Sequence, residues 1–196
     1  NSQGIARRSG GEIQVKYILD VRDFPDSPFK DCFVKDFSII ENDPEVDVVV
    51  ETIGGAKVAL EFTTRALKAG KSVVSSNKEL VATHGYELLQ LAKANGVSYL
   101  FEASVGGGIP ILRPLTNCLA ANEVEQITGI LNGTTNYILT RMVRTGAFFT
   151  DALREAQAKG YAEADPTADV EGIDAGRKIC ILADLAFGHQ VDPDKV

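Results

Sequence analysis

Short apolar runs that alternate with helical stretches across the first hundred residues constrain this chain more than any other feature. Val46-Asp47-Val48-Val49-Val50 and Ser72-Val73-Val74-Ser75 are brief and rich in β-branched residues. Such runs fit parallel strands covered on both faces. Between them, residues 58–69 place Ala59, Phe62, Ala66 and Leu67 at helical spacing, and Gly70 stands where a helix C-cap is expected. Residues 79–94 put Leu88, Leu91 and Ala92 on one helical face and close on Asn95-Gly96, ahead of a further strand over 97–101. An earlier strand is expected over 13–19, and residues 20–31, with Pro25 and Pro28, read as a loop. The alternation predicts an α/β fold, a Rossmann-type parallel sheet whose right-handed crossovers carry helices to both faces.

The rhythm changes after Gly106-Gly107-Gly108. A helix is expected over 110–121, a strand with partial alternation over 123–131, and helices near 135–144, 150–159 and 171–187. We therefore place a boundary near residues 102–108 and expect a partial dinucleotide-binding domain over residues 1–105 and a partial α+β substrate-binding domain over 106–196. The GxGxxG fingerprint of dinucleotide sites is not in these residues: Gly106-Gly107-Gly108 follows a strand, but the spacing is wrong and Pro110 comes soon after. The chain opens on Asn1 with a basic, helix-like tail and closes on a turn-like stretch over 191–196. The glycine loop and the closing elements are thus expected to lie outside it, and the fragment alone is expected to be inactive. Pattern alone leaves a nucleotide site an inference from the rest of the sheet.

Composition narrows the function. A formal net charge of −7 argues against nucleic acid as the main partner, because phosphate binding needs a basic face. No apolar run approaches the roughly 20 residues that span a membrane. Three widely spaced cysteines, Cys32, Cys118 and Cys180, with no CxxC, speak against a disulfide framework or a zinc site and for a reducing, cytoplasmic setting.

Ligands in parallel sheets bind outside the carboxyl ends of the strands, which here are Thr52-Ile53-Gly54-Gly55 and Ser76-Asn77-Lys78. Asp174 and Lys178 lie four apart and share a helix face. They are either a solvated surface pair or, given the apolar stretch from Ile179 to Phe187, a buried pair able to hold or release a proton. Glu163, Asp165 and Asp169 lie in an acidic loop. It is either an exposed turn, with Asp169 as N-cap of the following helix, or a carboxylate cluster for a cationic amine. Asn132-Gly133-Thr134-Thr135 joins a strand to a helix, whose hydroxyls either cap it or leave its N–H groups for an anion.

Four motifs, SNKELVA (76–82), FEASVGGGIPI (101–111), GILNGTTNYIL (129–139) and AQAKGYAEADPTADVEGIDAGRK (156–178), occur in an order that resembles the homoserine dehydrogenases over essentially the whole chain. The resemblance implies NAD- or NADP-dependent interconversion of L-homoserine and L-aspartate 4-semialdehyde, a step toward threonine, methionine and isoleucine, in a homodimer or higher homo-oligomer. It implies Lys178 and Lys78 as catalytic lysines. Glu163, Asp174, Gly133 and Thr134 match substrate-contacting positions, with Asp169 beside them. Thr52, Ile53, Gly54 and Gly55 resemble the cofactor-side loop, Lys78 matches a lysine near nicotinamide and substrate, and Ser76 joins them as a cofactor candidate from its strand end. Backbone oxygens of Glu102, Val105, Gly107 and Ile109 match a loop that holds a sodium-type cation, a sensible use of carbonyls for a hard ion. Either Arg22, after what the resemblance makes the fold's second strand, is expected to pair with a 2′-phosphate and favour NADP, or Asp20 instead to accept from ribose hydroxyls and favour NAD. The competing readings are another semialdehyde-linked Rossmann dehydrogenase, which needs a nucleophilic cysteine, and an inactive core that only dimerises or binds.

Overall fold

The computed structural model describes residues 2–196. In the first half, α1 (Ser2–Ser9) precedes β1 (Ile18–Leu19), β2 (Phe33–Val34), α2 (Phe37–Asn42) and β3 (Val48–Glu51). Then follow α3 (Lys57–Lys68), β4 (Ser72–Ser75), α4 (Lys78–Ala94) and β5 (Tyr99–Leu100). The second half holds α5 (Gly133–Thr145), α6 (Phe149–Ala158), the short α7 (Thr167–Val170) and α8 (Ile173–Phe187). β1 and β2 pair in parallel, and β3-β4-β5 form a second parallel sheet in sequential order. The α/β class and the parallel, Rossmann-type strand–helix alternation expected from the sequence are present.

The register explains which side chains are buried. Val49, Val73 and Tyr99 align across the three strands and point under the helices; Val73 and Tyr99 are 0% and 3% exposed. Val50, Val74 and Leu100 align on the opposite face and are exposed. The expectation of helices on both faces is corrected here. Strands laid down in sequential order by crossovers of one hand put their helices on one side, and only a reversal of order sends a helix to the other. α3 and α4 accordingly pack against each other beneath the sheet. Ala59, Ala66, Leu67, Leu80, Leu88 and Ala92 fill that layer, each aliphatic Leu contributing roughly 1.5–3 kcal/mol by burial.

The strand expected over 13–19 is confined to Ile18–Leu19, and that over 97–101 to Tyr99–Leu100, because only those residues have a strand beside them. β2 arises just after a stretch read as loop. Residues 123–131 form no strand: among the described residues none pairs with them in a ladder, Ile130 is 60% exposed, and a strand exists only where a neighbour supplies its ladder. The helix expected over 110–121 is shorter, turning to a π-helix at Pro114–Cys118. There Leu119 N bonds to Pro114 O, five residues back instead of four (3.0 Å).

Two cores hold the chain. Ile138, Ala152, Ala156 and Ala162 form a small one between α5 and α6. α8 belongs to the main one: Ile181 and Leu182 pack with the α3–α4 layer, as does Leu112. Gln190 Nε2 donates to Thr83 O (2.9 Å), and Arg177 pairs with Glu79 (3.4 Å), tying α8 to α4 along its length. This docking brings the first turns of α4 and α8 together.

Candidate active site

α4 starts at Asn77, whose side chain accepts from Leu80 N (3.1 Å) and caps the helix. That cap places Lys78 at the first helical position, where the helix dipole disfavours a cation. α8 starts after Gly172, held in the left-handed region (φ 78°), and places Asp174 at its second residue, where the dipole favours an anion. Asp174 is 4% exposed. Its Oδ1 accepts from Lys78 Nζ, and its Oδ2 accepts from Lys178 Nζ (2.6 Å) and Asn132 Nδ2 (2.8 Å). Burial alone raises the Asp174 carboxyl, but the bonds from Lys178, Lys78 and Asn132 outweigh it and bring its pKa to about 2. The Asp174–Lys178 pair is thus the buried alternative, not a solvated one.

The two lysines differ. Lys178, with 16% of its side chain exposed, also donates to Leu131 O (2.9 Å) and is held at two points. Lys78, 44% exposed, has Asp174 as its one partner among the described residues. The cluster therefore joins an anchored ammonium and an accessible one through one carboxylate.

Asn132 is the hub that sequence reasoning missed. Its Oδ1 caps α5 at Thr135 N (2.7 Å), and its Nδ2 donates to both Asp174 and Asp169 Oδ1 (2.6 Å). An asparagine just ahead of Gly-Thr-Thr was the available signal. The threonine hydroxyls do not cap α5 as one alternative had it: Thr134 Oγ1 donates to Tyr161 O (2.7 Å) and Thr135 Oγ1 to Asp169 O (3.3 Å). Asp169 is not the N-cap of α8 either. It lies inside α7, and α8 has no side-chain cap. Gly133 is exposed and Thr134 buried at the edge of an open cleft of about 510 Å³, shared with Asn136, Tyr137, Thr140 and Tyr161, that does not include the lysines.

The remaining positions are spread wider. Glu163 is on an exposed loop whose carbonyl accepts from Gln157 Nε2 (3.1 Å). Thr52, Gly54, Gly55 and Ser76 are exposed at the strand ends, with Ile53 half-buried. Asn77 Nδ2 donates to Ile53 O (2.9 Å) and Gly55 O (2.8 Å), so one residue starts α4 and fastens this turn. Arg22 and Asp20, offered as alternatives for cofactor choice, bond to each other (3.0 and 3.1 Å), which draws the Asp20 carboxyl down to about 2. Glu102 turns its carboxylate to the N–H groups of Ile111, Leu112 and Arg113 (2.6–2.9 Å), capping the helical stretch that follows. Val105 is buried, and Gly107 and Ile109 are exposed in a turn where Gly106 and Gly108 take left-handed φ of 64° and 81°. Among the described residues no group of three His, Cys, Asp or Glu side chains forms a metal site. Cys180 is buried, which raises its thiol pKa.

A one-sided parallel sheet whose strand ends adjoin a lysine–carboxylate cluster defines an α/β protein of the nucleotide-binding sheet class. The family model "Homoserine dehydrogenase, NAD binding domain" matches residues 9–102, and "Homoserine dehydrogenase" matches 110–196. The homoserine dehydrogenase of Pseudomonas aeruginosa is 47% identical over 100% of this chain and 45% of its own length. That of Corynebacterium glutamicum is also 47% identical, over 98% and 44%. Among solved structures, a homoserine dehydrogenase from Thiobacillus denitrificans superimposes with a TM-score of 0.87 at 44% identity, over 99% of this chain and 46% of that one. A hyperthermophilic archaeal homoserine dehydrogenase in complex with NADPH gives 0.81 at 30%, over 96% and 66%. The chain belongs to the homoserine dehydrogenase family, and it spans about half the length of the curated relatives it matches.

Proposed function

We propose that this chain carries the substrate and proton-transfer half of an NAD- or NADP-dependent homoserine dehydrogenase, interconverting L-homoserine and L-aspartate 4-semialdehyde on the way to threonine, methionine and isoleucine. The observation that supports it most is the convergence of Lys78 and Lys178 on the buried Asp174. Oxidising a primary alcohol removes a hydride from carbon and a proton from oxygen, and the nicotinamide supplies the hydride acceptor. An ammonium facing the reacting oxygen stabilises the alkoxide and exchanges its proton. Two ammonium groups facing one carboxylate leave positive charge in excess, as that task requires. Lys178, anchored by Asp174 and Leu131 O, is the proposed acid/base; Lys78 is proposed to stand between nicotinamide and substrate.

Asp174, Asp169 and the exposed Glu163 are proposed to present carboxylates to the substrate ammonium, with the Gly133-Thr134 turn at its carboxylate. Residues 52–55 and Ser76 are proposed on the cofactor side, and Arg22 at the ribose end. A sodium-type cation is proposed on the backbone oxygens of Glu102, Val105, Gly107 and Ile109. The two left-handed glycines of that turn support it, and the Glu102 carboxylate, held by three N–H groups, takes no part. Division near residue 105, homodimerisation and a cytoplasmic setting complete the reading. Residues 123–131 have a strand's sequence pattern and no partner strand among the described residues, which supports pairing with a second copy, and the three cysteines are free. Among the described residues no helix is long and apolar enough to cross a membrane.

The test is the full-length protein with L-homoserine and either nicotinamide, followed by the absorbance of the reduced cofactor. Homoserine-dependent reduction is expected, with serine and threonine far slower. No reduction with either nicotinamide would sink the reading.

A further inference from the structure

At the carboxyl end of β3, Glu51 is 4% exposed, on the face of the sheet that α3 and α4 cover. A carboxyl group is costly in that layer unless its oxygens are bonded. Both are: Oε1 accepts from Ile53 N (2.6 Å), and Oε2 accepts from the hydroxyl of Ser75, its cross-strand partner. Ser75, 1% exposed, in turn accepts from Asn77 N (3.0 Å). Asn77 then returns to the turn after β3 through Ile53 O and Gly55 O, and caps α4 at Leu80 N. The bonds close a ring: strand end, neighbouring strand end, helix cap, turn, and back to the strand end. Lys78 is the next residue after that cap.

We propose that Glu51 is a positioning residue, which through Ser75 and Asn77 holds the turn over residues 52–55 and the start of α4 as one unit at the nucleotide-facing edge of the sheet. This rests on the reading of that edge as the nicotinamide side. A merely structural carboxyl would stabilise the whole layer. Among the described residues the Glu51 side chain bonds instead to Ile53, in the turn after β3, and to Ser75, the last residue of β4. Relaxing Glu51 therefore loosens the dinucleotide side first; the α5–α7 side shares no residue with the ring and is linked to it through the Lys78–Asp174 bond, which Lys178 and Asn132 also hold from the other side.

In the full-length protein, Glu51→Met keeps the length of the side chain and removes both acceptors, whereas Glu51→Gln keeps the acceptor for Ile53 N. NADPH affinity by fluorescence titration, homoserine KM, and amide exchange at Ile53 and Asn77 are read on each. Glu51→Met is expected to weaken NADPH by about tenfold, the size of one charge-assisted hydrogen bond, and to speed exchange at both amides. Homoserine KM is expected to stay within about twofold, and Glu51→Gln to recover most of the affinity. Should Glu51→Met not fold, Ser75→Ala cuts the ring at Asn77 and is expected to speed exchange at Asn77 and weaken NADPH. NADPH affinity unchanged in the folded variants, or a loss in which homoserine KM and melting temperature move together with it, overturns the proposal. A wild-type protein that binds NADPH but leaves homoserine untouched refutes the assigned reaction while the ring is still judged on NADPH and exchange. One that binds no NADPH refutes both.

Discussion

Two buried carboxyl groups, Asp174 and Glu51, are equally withdrawn from water, 4% exposed each, yet their surroundings are opposite. Asp174 faces two ammonium groups and an amide. Glu51 faces a backbone N–H and a hydroxyl. The first set is charged and opens to solvent through Lys78, so it can take up a ligand and move a proton. The second is uncharged and closed on itself, so it can only hold things still. Burial marks both as costly; the charge of the partners separates chemistry from scaffolding.

The comparison breaks most visibly at Lys178. Lys178→Ala in the full-length enzyme is expected to lower kcat by about 10²–10⁴, the usual contribution of a positioned acid or base, with the fold retained. Steady-state kinetics beside Lys78→Ala decide which lysine moves the proton. A loss under tenfold at Lys178 with abolition at Lys78 would transfer the role.

Asp174→Asn comes next. It leaves Lys178, mostly buried, without its counter-charge, and breaking a buried pair costs on the order of 3–5 kcal/mol. Thermal melting is expected to fall along with kcat/KM, whereas Asp169→Asn, which keeps an acceptor for Asn132, loses less of both. The pH dependence sharpens this. A carboxyl held at about 2, below its ordinary 3.8, stabilises the folded chain above pH 4, and that stability is lost as pH falls toward 2. The shift corresponds to about 2 kcal/mol. Denaturant titrations at pH 5, 4 and 3 are expected to show wild type losing its advantage over Asp174→Asn; a constant gap would deny the linkage.

A smaller effect is expected at Glu102. Its carboxylate holds three N–H groups, and those bonds prevail over burial to lower its pKa. Glu102→Ala is expected to cost about 1–2 kcal/mol, in the range of a lost helix cap, without changing homoserine KM. Chemical denaturation measures the first and kinetics the second. A large rise in homoserine KM would place its side chain in the site.

The sequence carried the strand–helix alternation and the motifs around Lys78, Gly133 and Lys178, because both are local: periodicity along the chain and runs of consecutive residues. What it could not carry depends on neighbours. Residues 123–131 have a strand's pattern, but the pattern does not say whether another strand lies alongside. The open face of Val50, Val74 and Leu100 follows from strand order, which VDVVV does not encode. Asn132 and Glu51 were invisible for the same reason: each looks like a cap or a strand end until residues up to 42 positions away arrive. The Asp174–Lys178 pair was visible, but its burial was settled only by α8 docking on α4.

Tyr99 tests the edge of the closed ring. It is 3% exposed, on the same face as Glu51 and Ser75, and its hydroxyl has no hydrogen-bond partner among the described residues. Burial first, and the neighbouring Glu51 after it, push its phenol up, while Ser75 pulls the other way. A buried hydroxyl without a partner contributes desolvation cost and no bond, so removing it relieves a penalty. Removing one oxygen from a packed ring leaves the aromatic contact with Phe101 (centroids 5.2 Å apart) in place. Tyr99→Phe is therefore expected to change stability by less than about 1 kcal/mol, neutral or stabilising, and to leave NADPH affinity alone. Equilibrium unfolding and the same fluorescence titration measure this. A loss above that size, with weaker NADPH, would mean that the hydroxyl bonds to Ser75 in solution and that Tyr99 is a member of the ring, extending it onto β5.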